Sequence, residues 1–184
     1  VLMQTDGEDK NILANQIRKK YTTERTLKNG LNVIFRPIEP TDKQRYNDFF
    51  KSLSLESIHM RFFCIIKELS DEELEKCCNL DYNREIAIVA LPKNDNKIIA
   101  ISRLIFANKD KAEFDIAVTD VWQGLGLGSE LLNYTIQIAQ DYKLKEIYYY
   151  IASENYKMIK LSKKVGAKTK SSDGDIIEMS LQLV

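Results

Sequence analysis

The chain has 184 residues, 27 of them basic and 27 acidic, so its formal net charge at neutral pH is zero. That balance speaks against a nucleic-acid or membrane-surface partner, either of which draws on surplus positive charge. The length suits one domain with a real core, and 44% apolar with 29% charged residues is ordinary for a globular protein.

The longest apolar run, Ile86 to Leu91, is far too short to cross a bilayer, and no secretory signal opens the chain, so the cytoplasm is the expected location. Cys64, Cys77 and Cys78 are odd in number and two are adjacent, which suits neither a disulfide framework nor a zinc site. Reduced, partly buried thiols and no metal are expected. The first residue is Val rather than Met, so a longer parent chain is expected.

Residues 1–30 are polar and read as a lead-in or linker with a short helix around Asn11 to Lys20; residues 31–184 read as the domain. Leu31 to Pro37 alternates as a strand, stopped by Pro37 and Pro40. Thr41 is the expected N-cap of a helix that carries Tyr46, Phe49, Phe50 and Leu53 at i, i+3, i+4 and i+7. A second helix over Ser54 to Phe63 holds the one histidine, His59, expected to pack among Ile58, Met60 and Phe62. Ser70 and Glu73 make a capping box for a helix from Asp71 to Cys78.

Arg84 to Leu91 and Lys97 to Phe106 read as an antiparallel hairpin turning at Pro92 to Asn96. Lys111 to Thr119 is the next strand, followed by a glycine-rich loop and a helix to Asp141. A tyrosine-rich strand, Glu146 to Ile151, precedes a helix over Asn155 to Val165 that ends at Gly166. That helix turns Met158, Leu161 and Val165 inward and a solvated stripe of Lys157, Lys160 and Lys164 outward. Strands at Ala167 to Ser171 and Asp175 to Leu183 close the chain. The order predicts an α/β sheet with helices on both faces.

The chemistry concentrates between Lys111 and Leu132. Phe114, Ile116 and Val118 share one strand face; Glu113, Asp115 and Ala117 share the other. Leu127, Leu131, Tyr134, Thr135 and Ile138 then recur at helical spacing. Between them Gly124, Gly126 and Gly128 crowd a helix start, where glycine costs up to about 1 kcal/mol against alanine inside a helix. Such a loop is tolerated where the backbone turns sharply or approaches a ligand, and a helix N-terminus behind it suits a phosphate or pyrophosphate. Neither the dinucleotide pattern G-x-G-x-x-G nor the phosphate loop G-x-x-x-x-G-K-[ST] is present.

What is present is Gln123-x-x-Gly126-x-Gly128 after a strand bearing a carboxylate, with Trp122-Gln123-Gly124 leading in and Asn155 downstream. This combination resembles the pyrophosphate loop of the GNAT acyltransferases. Arg36-Pro37-Ile38, Asp42, Phe49-Phe50, Leu53-Ser54, Glu56-Ser57, Arg61-Phe62-Phe63, Leu69-Ser70, Glu73-Leu74, Asp81 and Arg84-Glu85 extend the resemblance to the bacterial Pat-type protein-lysine acetyltransferases, over about Thr26 to Val184.

The resemblance implies the GNAT fold, a mixed, mostly antiparallel twisted sheet flanked by helices on both faces. It implies acetyl-CoA as cosubstrate, no metal, and Glu113 as general base. Ala117, Val118 and Thr119 would pair with the pantetheine arm and hold the thioester carbonyl. Gln123, Gly124, Leu125, Gly126, Leu127, Gly128 and Ser129 would carry the pyrophosphate, and Asn155 would contact the cofactor. The acceptor would be an exposed lysine of a protein, an acyl-CoA synthetase among known targets. Family members are often fused to a regulatory cyclic-nucleotide-binding domain or a synthetase-like domain, and such a missing domain is expected here.

Ser162 departs from the pattern, standing where many relatives carry a tyrosine acid. Tyr148, Tyr149, Tyr150 and Tyr156 are conjectural substitutes, although a thiolate with a pKa near about 8.5 can also take its proton from solvent. Acyl transfer to lysine needs a neutral amine, and deprotonating a group of pKa about 10.4 at neutral pH costs roughly 4.6 kcal/mol. A carboxylate in the cleft meets that demand; Asp115 is the rival to Glu113. Direct transfer without an acyl-enzyme is expected, since the cysteines lie away from the loop. A small-amine acetyltransferase and a catalytically silent acyl-CoA-binding module are the competing readings.

Overall fold

The computed structural model describes residues 5–183. In chain order the elements are α1 (Thr5–Tyr21), β1 (Thr23–Thr26), β2 (Asn32–Pro37), α2 (Lys43–Ser52), α3 (Leu55–Phe62), α4 (Asp71–Cys78), β3 (Glu85–Pro92), β4 (Ala100–Phe106), β5 (Lys111–Val118), α5 (Leu127–Asp141), β6 (Glu146–Ala152), α6 (Tyr156–Lys164), β7 (Lys168–Asp173) and β8 (Ile176–Gln182). The strands form one sheet in the order β1-β2-β3-β4-β5-β6-β8-β7. Every neighbouring pair is antiparallel except β5 and β6, which run parallel.

The sheet is packed on both faces. Against one lie α1, α5 and α6, burying Leu127, Leu131, Leu132 and Ile138 with Ile86, Ile88, Ile147 and Met179. Against the other lie α2, α3 and α4, burying Phe49, Phe50, Ile58 and Leu74 with Ala87, Val89 and Leu91. This explains the apolar run at Ile86 to Leu91: β3 sits between two helical layers, and each residue meets one of them. The second layer reaches Ala117 of β5. Beyond it Tyr150 is 44% exposed, and β7 is exposed along its whole length.

Three local expectations are revised. Before Gly30 the sequence reads only a short helix, but α1 is longer and β1 pairs with β2 from Thr23↔Phe35 to Thr26↔Asn32. Tyr21 and Leu27, which frame β1, are buried in the core; the strand itself, TERT, carries no apolar stripe to announce it. Thr41 does not cap α2. A 3-10 turn over Pro40–Asp42 precedes that helix, and the carboxylate of Asp42 receives the Glu39 N–H (2.9 Å) and two bonds from Arg36 (2.7 and 2.8 Å). Burial alone would raise this carboxyl, but those bonds and the charges of Arg36 and Arg45 hold it below its ordinary value. Cys64 lies past the end of α3 and is exposed, whereas Cys78 is buried and its thiol is pushed up to about 12 by burial.

The capping boxes and stops follow the expected chemistry. Ser70 accepts from Glu73 N–H while Glu73 accepts from Ser70 N–H. Gly166, at φ +93, ends α6. Among the described residues no helix is long and apolar enough to cross a membrane, and no group of three or more His, Cys, Asp or Glu could hold a metal ion.

Candidate active site

The site begins where two strands part. β5 and β6 pair at Lys111↔Glu146, Ala112↔Ile147 and Glu113↔Tyr148, and no further. On its other edge β5 stays paired with β4 as far as Ala100↔Val118. The β5 main chain from Phe114 to Val118 therefore faces an opening on its β6 side. α6 and α3 flank that opening, and the glycine loop closes one end.

The loop is built to present amides. Gly124 (φ +77) and Gly126 (φ +86) adopt the left-handed conformation that side chains resist, and Gly126 is the N-cap of α5. The N–H groups from Gly124 to Ser129 make no hydrogen bond among the described residues; the first helical bond runs from Glu130 N–H to Gly126 C=O. At Gly128 a Cβ would meet Val118 Cγ2 at 3.7 Å, an ordinary van der Waals contact, so packing against β5 does not itself demand glycine there. Unpaired amides and the positive end of a 15-residue helix face one cleft.

That cleft, about 650 Å³, is lined by Ala117, Val118, Gln123, Gly124, Gly126, Gly128, Ser129 and Asn155. The remaining expected cofactor residues do not line it. Leu127 is fully buried in the core, Leu125 stands off the cleft, and Thr119 is 5% exposed with its N–H spent on Ile99 C=O (2.9 Å). The Gln123 side chain ties the loop down, donating to Val118 C=O (3.0 Å) and to Ser57 Oγ (3.3 Å). Asn155 caps α6, its side-chain oxygen accepting from Met158 N–H (3.1 Å).

Helix α3 forms the facing wall with Glu56, Ser57, Met60 and Arg61, which sequence periodicity does not reveal. Its position is set by Asp120, just past β5. The Asp120 carboxylate accepts from Ser54 N–H (3.1 Å), Ser54 Oγ (2.8 Å) and Ser57 Oγ (3.0 Å). Burial would raise this carboxyl; the serine donors outweigh it and hold it below its ordinary value. His59 does not pack as expected. It is exposed and its Nε2 lies 3.5 Å from Glu154 across the cleft mouth. The lysine stripe is solvated, with Lys157 also on the cleft rim.

A smaller cavity of about 60 Å³ opens beside the cleft, and Met60, Arg61, Ile116, Asn155 and Met158 border both. Glu113, Asp115 and Tyr149 line it. The two carboxylates differ in their surroundings. Asp115 is bonded to Arg61 and stands in register with Arg103. Burial would lower the Arg103 pKa, but Asp115, Tyr46 and Glu85 raise it, so the guanidinium stays charged beside Asp115. Glu113 is half-buried and makes no ion pair or hydrogen bond among the described residues. Burial raises the phenol of Tyr148 opposite, and the charges of Glu113 and Glu178 add to that rise.

The arrangement offers an amide-lined anion cradle, a cleft between parting strands, and, in the narrow pocket beside that cleft, a carboxylate without a partner among the described residues. Comparison with known proteins agrees with that geometry. The family model described as the acetyltransferase (GNAT) domain matches residues 32–168. An acetyltransferase of Pseudomonas aeruginosa is 31% identical over 126 residues, covering 67% of this chain and 68% of that protein. The crystal structure of the GNAT domain of S. lividans PAT superposes with a TM-score of 0.83 at 25% identity, covering 89% of this chain and 98% of that one. Spermidine N-acetyltransferase from Vibrio cholerae, solved with CoA and spermine, shares the fold with a TM-score of 0.69 at 23% identity, covering 82% and 95%.

Proposed function

This chain belongs to the GNAT acetyltransferase family and is an acetyl-CoA-dependent acyltransferase, and from that premise we propose that it acetylates a lysine side chain of a protein by direct transfer, in the cytoplasm, with Glu113 as general base. Residues 31–184 carry the catalytic domain. One observation carries this reading: Glu113 is the unpaired carboxylate at the last rung before β5 and β6 part, in a narrow pocket joined to the amide-lined cleft.

The cleft fits acetyl-CoA on two counts. Its volume lies in the range of small-molecule sites, and the free amides from Gly124 to Ser129 at a helix start suit a pyrophosphate. Acetyl-CoA brings an acyl group activated as a thioester. The Val118 main chain is turned away from β4 toward the opening, and with its C=O held by Gln123 its N–H is the group that supplies a hydrogen bond along the bound arm, while Ala117 pairs with β4. Thr119, Leu125 and Leu127 serve by shaping the loop, and Asn155 by holding the start of α6 at the cleft.

Glu113 takes the proton from the incoming ammonium so that a neutral nitrogen attacks. Asp115, compensated by Arg61 and Arg103, is the poorer base. The likeness to the PAT GNAT domain supports a protein acceptor and the Pat-type branch. The shape of the site suits a primary amine on an aliphatic arm. A pocket of about 60 Å³ admits one aliphatic amine arm; Tyr150 lines it, and Tyr148 stands edge to face with Tyr150, centroids 6.2 Å apart. Aromatic faces attract a lysine ammonium before it is deprotonated.

The test is incubation with labelled acetyl-CoA, an acyl-CoA synthetase and a panel of small amines including polyamines. Label on a protein lysine is the expected outcome. Label on free amines alone rejects the protein acceptor, and no label on any amine in a protein that binds acetyl-CoA makes it a silent binding module.

A further inference from the structure

Five residues border both the amide-lined cleft and the pocket that holds Glu113: Met60, Arg61, Ile116, Asn155 and Met158. They form a collar where β5 and β6 have parted. Helix α3 packs across both strands from one face of the sheet, and α6 belongs to the layer on the other, so Met60 and Met158 close the gap from opposite sides. Three members of the collar are fixed. Arg61 is ion-paired with Asp115. Ile116 is β-branched and sits on a strand paired with β4. The Asn155 side chain is committed to capping α6. The two methionines can yield. Both side chains are partly exposed, so each has room to swing, and an unbranched thioether adapts its shape to its neighbours. The Met158 main chain is pinned, its N–H by Asn155 (3.1 Å) and its C=O by Ser162 Oγ (2.7 Å), which leaves only the side chain to move.

We propose that Met60 and Met158 receive the acyl group of the cosubstrate and set the length of chain the enzyme carries, an inference that rests on the acetyltransferase reading above. With the pyrophosphate on the glycine loop and the amine beside Glu113, the thioester carbonyl lies where the two cavities meet, and its alkyl tail meets the collar. Past the collar lies only about 60 Å³, which the amine arm needs, so a longer tail enters by displacing a methionine. Acyl groups one or two methylenes longer than acetyl are therefore accepted, and larger ones are turned away. The exchange of bonds is the same for each. The carbon–nitrogen bond forms, the carbon–sulfur bond breaks with its electron pair on the CoA sulfur, and Glu113 takes the amine's proton.

The experiment measures, by calorimetry on the whole chain, affinities for CoA and for its S-ethyl, S-propyl, S-butyl and S-hexyl thioethers, which mimic acyl donors of rising length and cannot react. The parent should hold the propyl and butyl forms at least as tightly as the ethyl form, and the hexyl form more weakly. Met60→Ala and Met158→Ala enlarge the collar by the space of two or more methylenes, each worth roughly fourfold when buried. Each variant should raise the hexyl-to-ethyl affinity ratio by about tenfold, while affinity for CoA itself, which has no acyl tail, moves far less. Met60→Ile and Met158→Ile keep an apolar residue of similar size but stiffen it, and should lower the butyl-to-ethyl ratio; they also serve if an alanine variant fails to unfold cooperatively on heating. If every variant keeps the parent's chain-length profile, the acyl group lies elsewhere and the collar has no such role, while the acetyltransferase reading stands. A parent that binds the hexyl form as tightly as the ethyl form overturns the collar in the same way. If the parent binds no CoA, both readings fall together.

Discussion

Glu113 and Tyr148 face each other on the last hydrogen-bonded rung between β5 and β6. One residue further on the strands have separated, and the pocket beside the cleft starts there. The proposed base is thus held on regular, paired strand while the next residues of the same strand are free on that edge. Placing a catalytic group on rigid structure at the edge of an opening is what positioning of two reactants demands.

Glu113→Gln removes the proposed base but keeps the shape of the pocket. Turnover should fall by about 10²- to 10⁴-fold, while CoA binding measured by calorimetry stays as in the parent. Equal turnover in the two proteins would take the base role away from Glu113.

Asp115→Asn tests the opposite role. The change breaks the ion pair with Arg61 and removes a negative charge beside Arg103, which is 9% exposed and keeps its ion pair with Glu85. Loss of about 3 kcal/mol in urea unfolding is expected, the lower end for breaking a buried pair. The remaining activity should exceed that of Glu113→Gln; the reverse order would make Asp115 the base.

Gly126→Ala places a side chain at φ +86 in open space. The cost is conformational rather than steric, about 1–2 kcal/mol. If the loop relaxes to avoid that strain, the amides from Gly124 to Ser129 lose their common aim, and CoA affinity by calorimetry drops. Unchanged affinity would mean that the pyrophosphate lies elsewhere.

Glu146 carries the acid sensitivity of the sheet. A bond from Lys111 (3.0 Å) is the main cause that holds its carboxyl at about 2, with Ser180 adding a second bond (3.0 Å). A carboxyl depressed in the folded state stabilises fully above its unfolded pKa, near about 4.3, and that contribution disappears as pH falls through the folded value. Urea midpoints of the parent should decline between these two limits. In Glu146→Gln that decline should be shallower, and parallel curves would exclude the assignment.

Local order was legible in the residues because local rules govern it. The capping box at Ser70 and Glu73, the stop at Gly166 and the alternation in β5 each depend on neighbours within a few positions. Long-range contacts left no such mark. Ser54 to Phe63 reads as a second helix, yet that Met60 and Arg61 border the site depends on Asp120, more than sixty residues later, which bonds Ser54 and Ser57. His59 looked apolar by its sequence neighbours, but helical geometry turned it outward, toward Glu154.

From its residues alone the chain declared a glycine-rich loop and helix start behind a carboxylate-bearing strand, since glycine spacing and strand alternation are properties of consecutive positions. Which carboxylate is free was settled by tertiary structure. Glu113 and Asp115 are equivalent by alternation, and only the packing of α3 and β4 brings Arg61 and Arg103 to one and leaves the other unpaired. Charge compensation is a property of neighbours in space, and neighbours in space are what a linear pattern does not record.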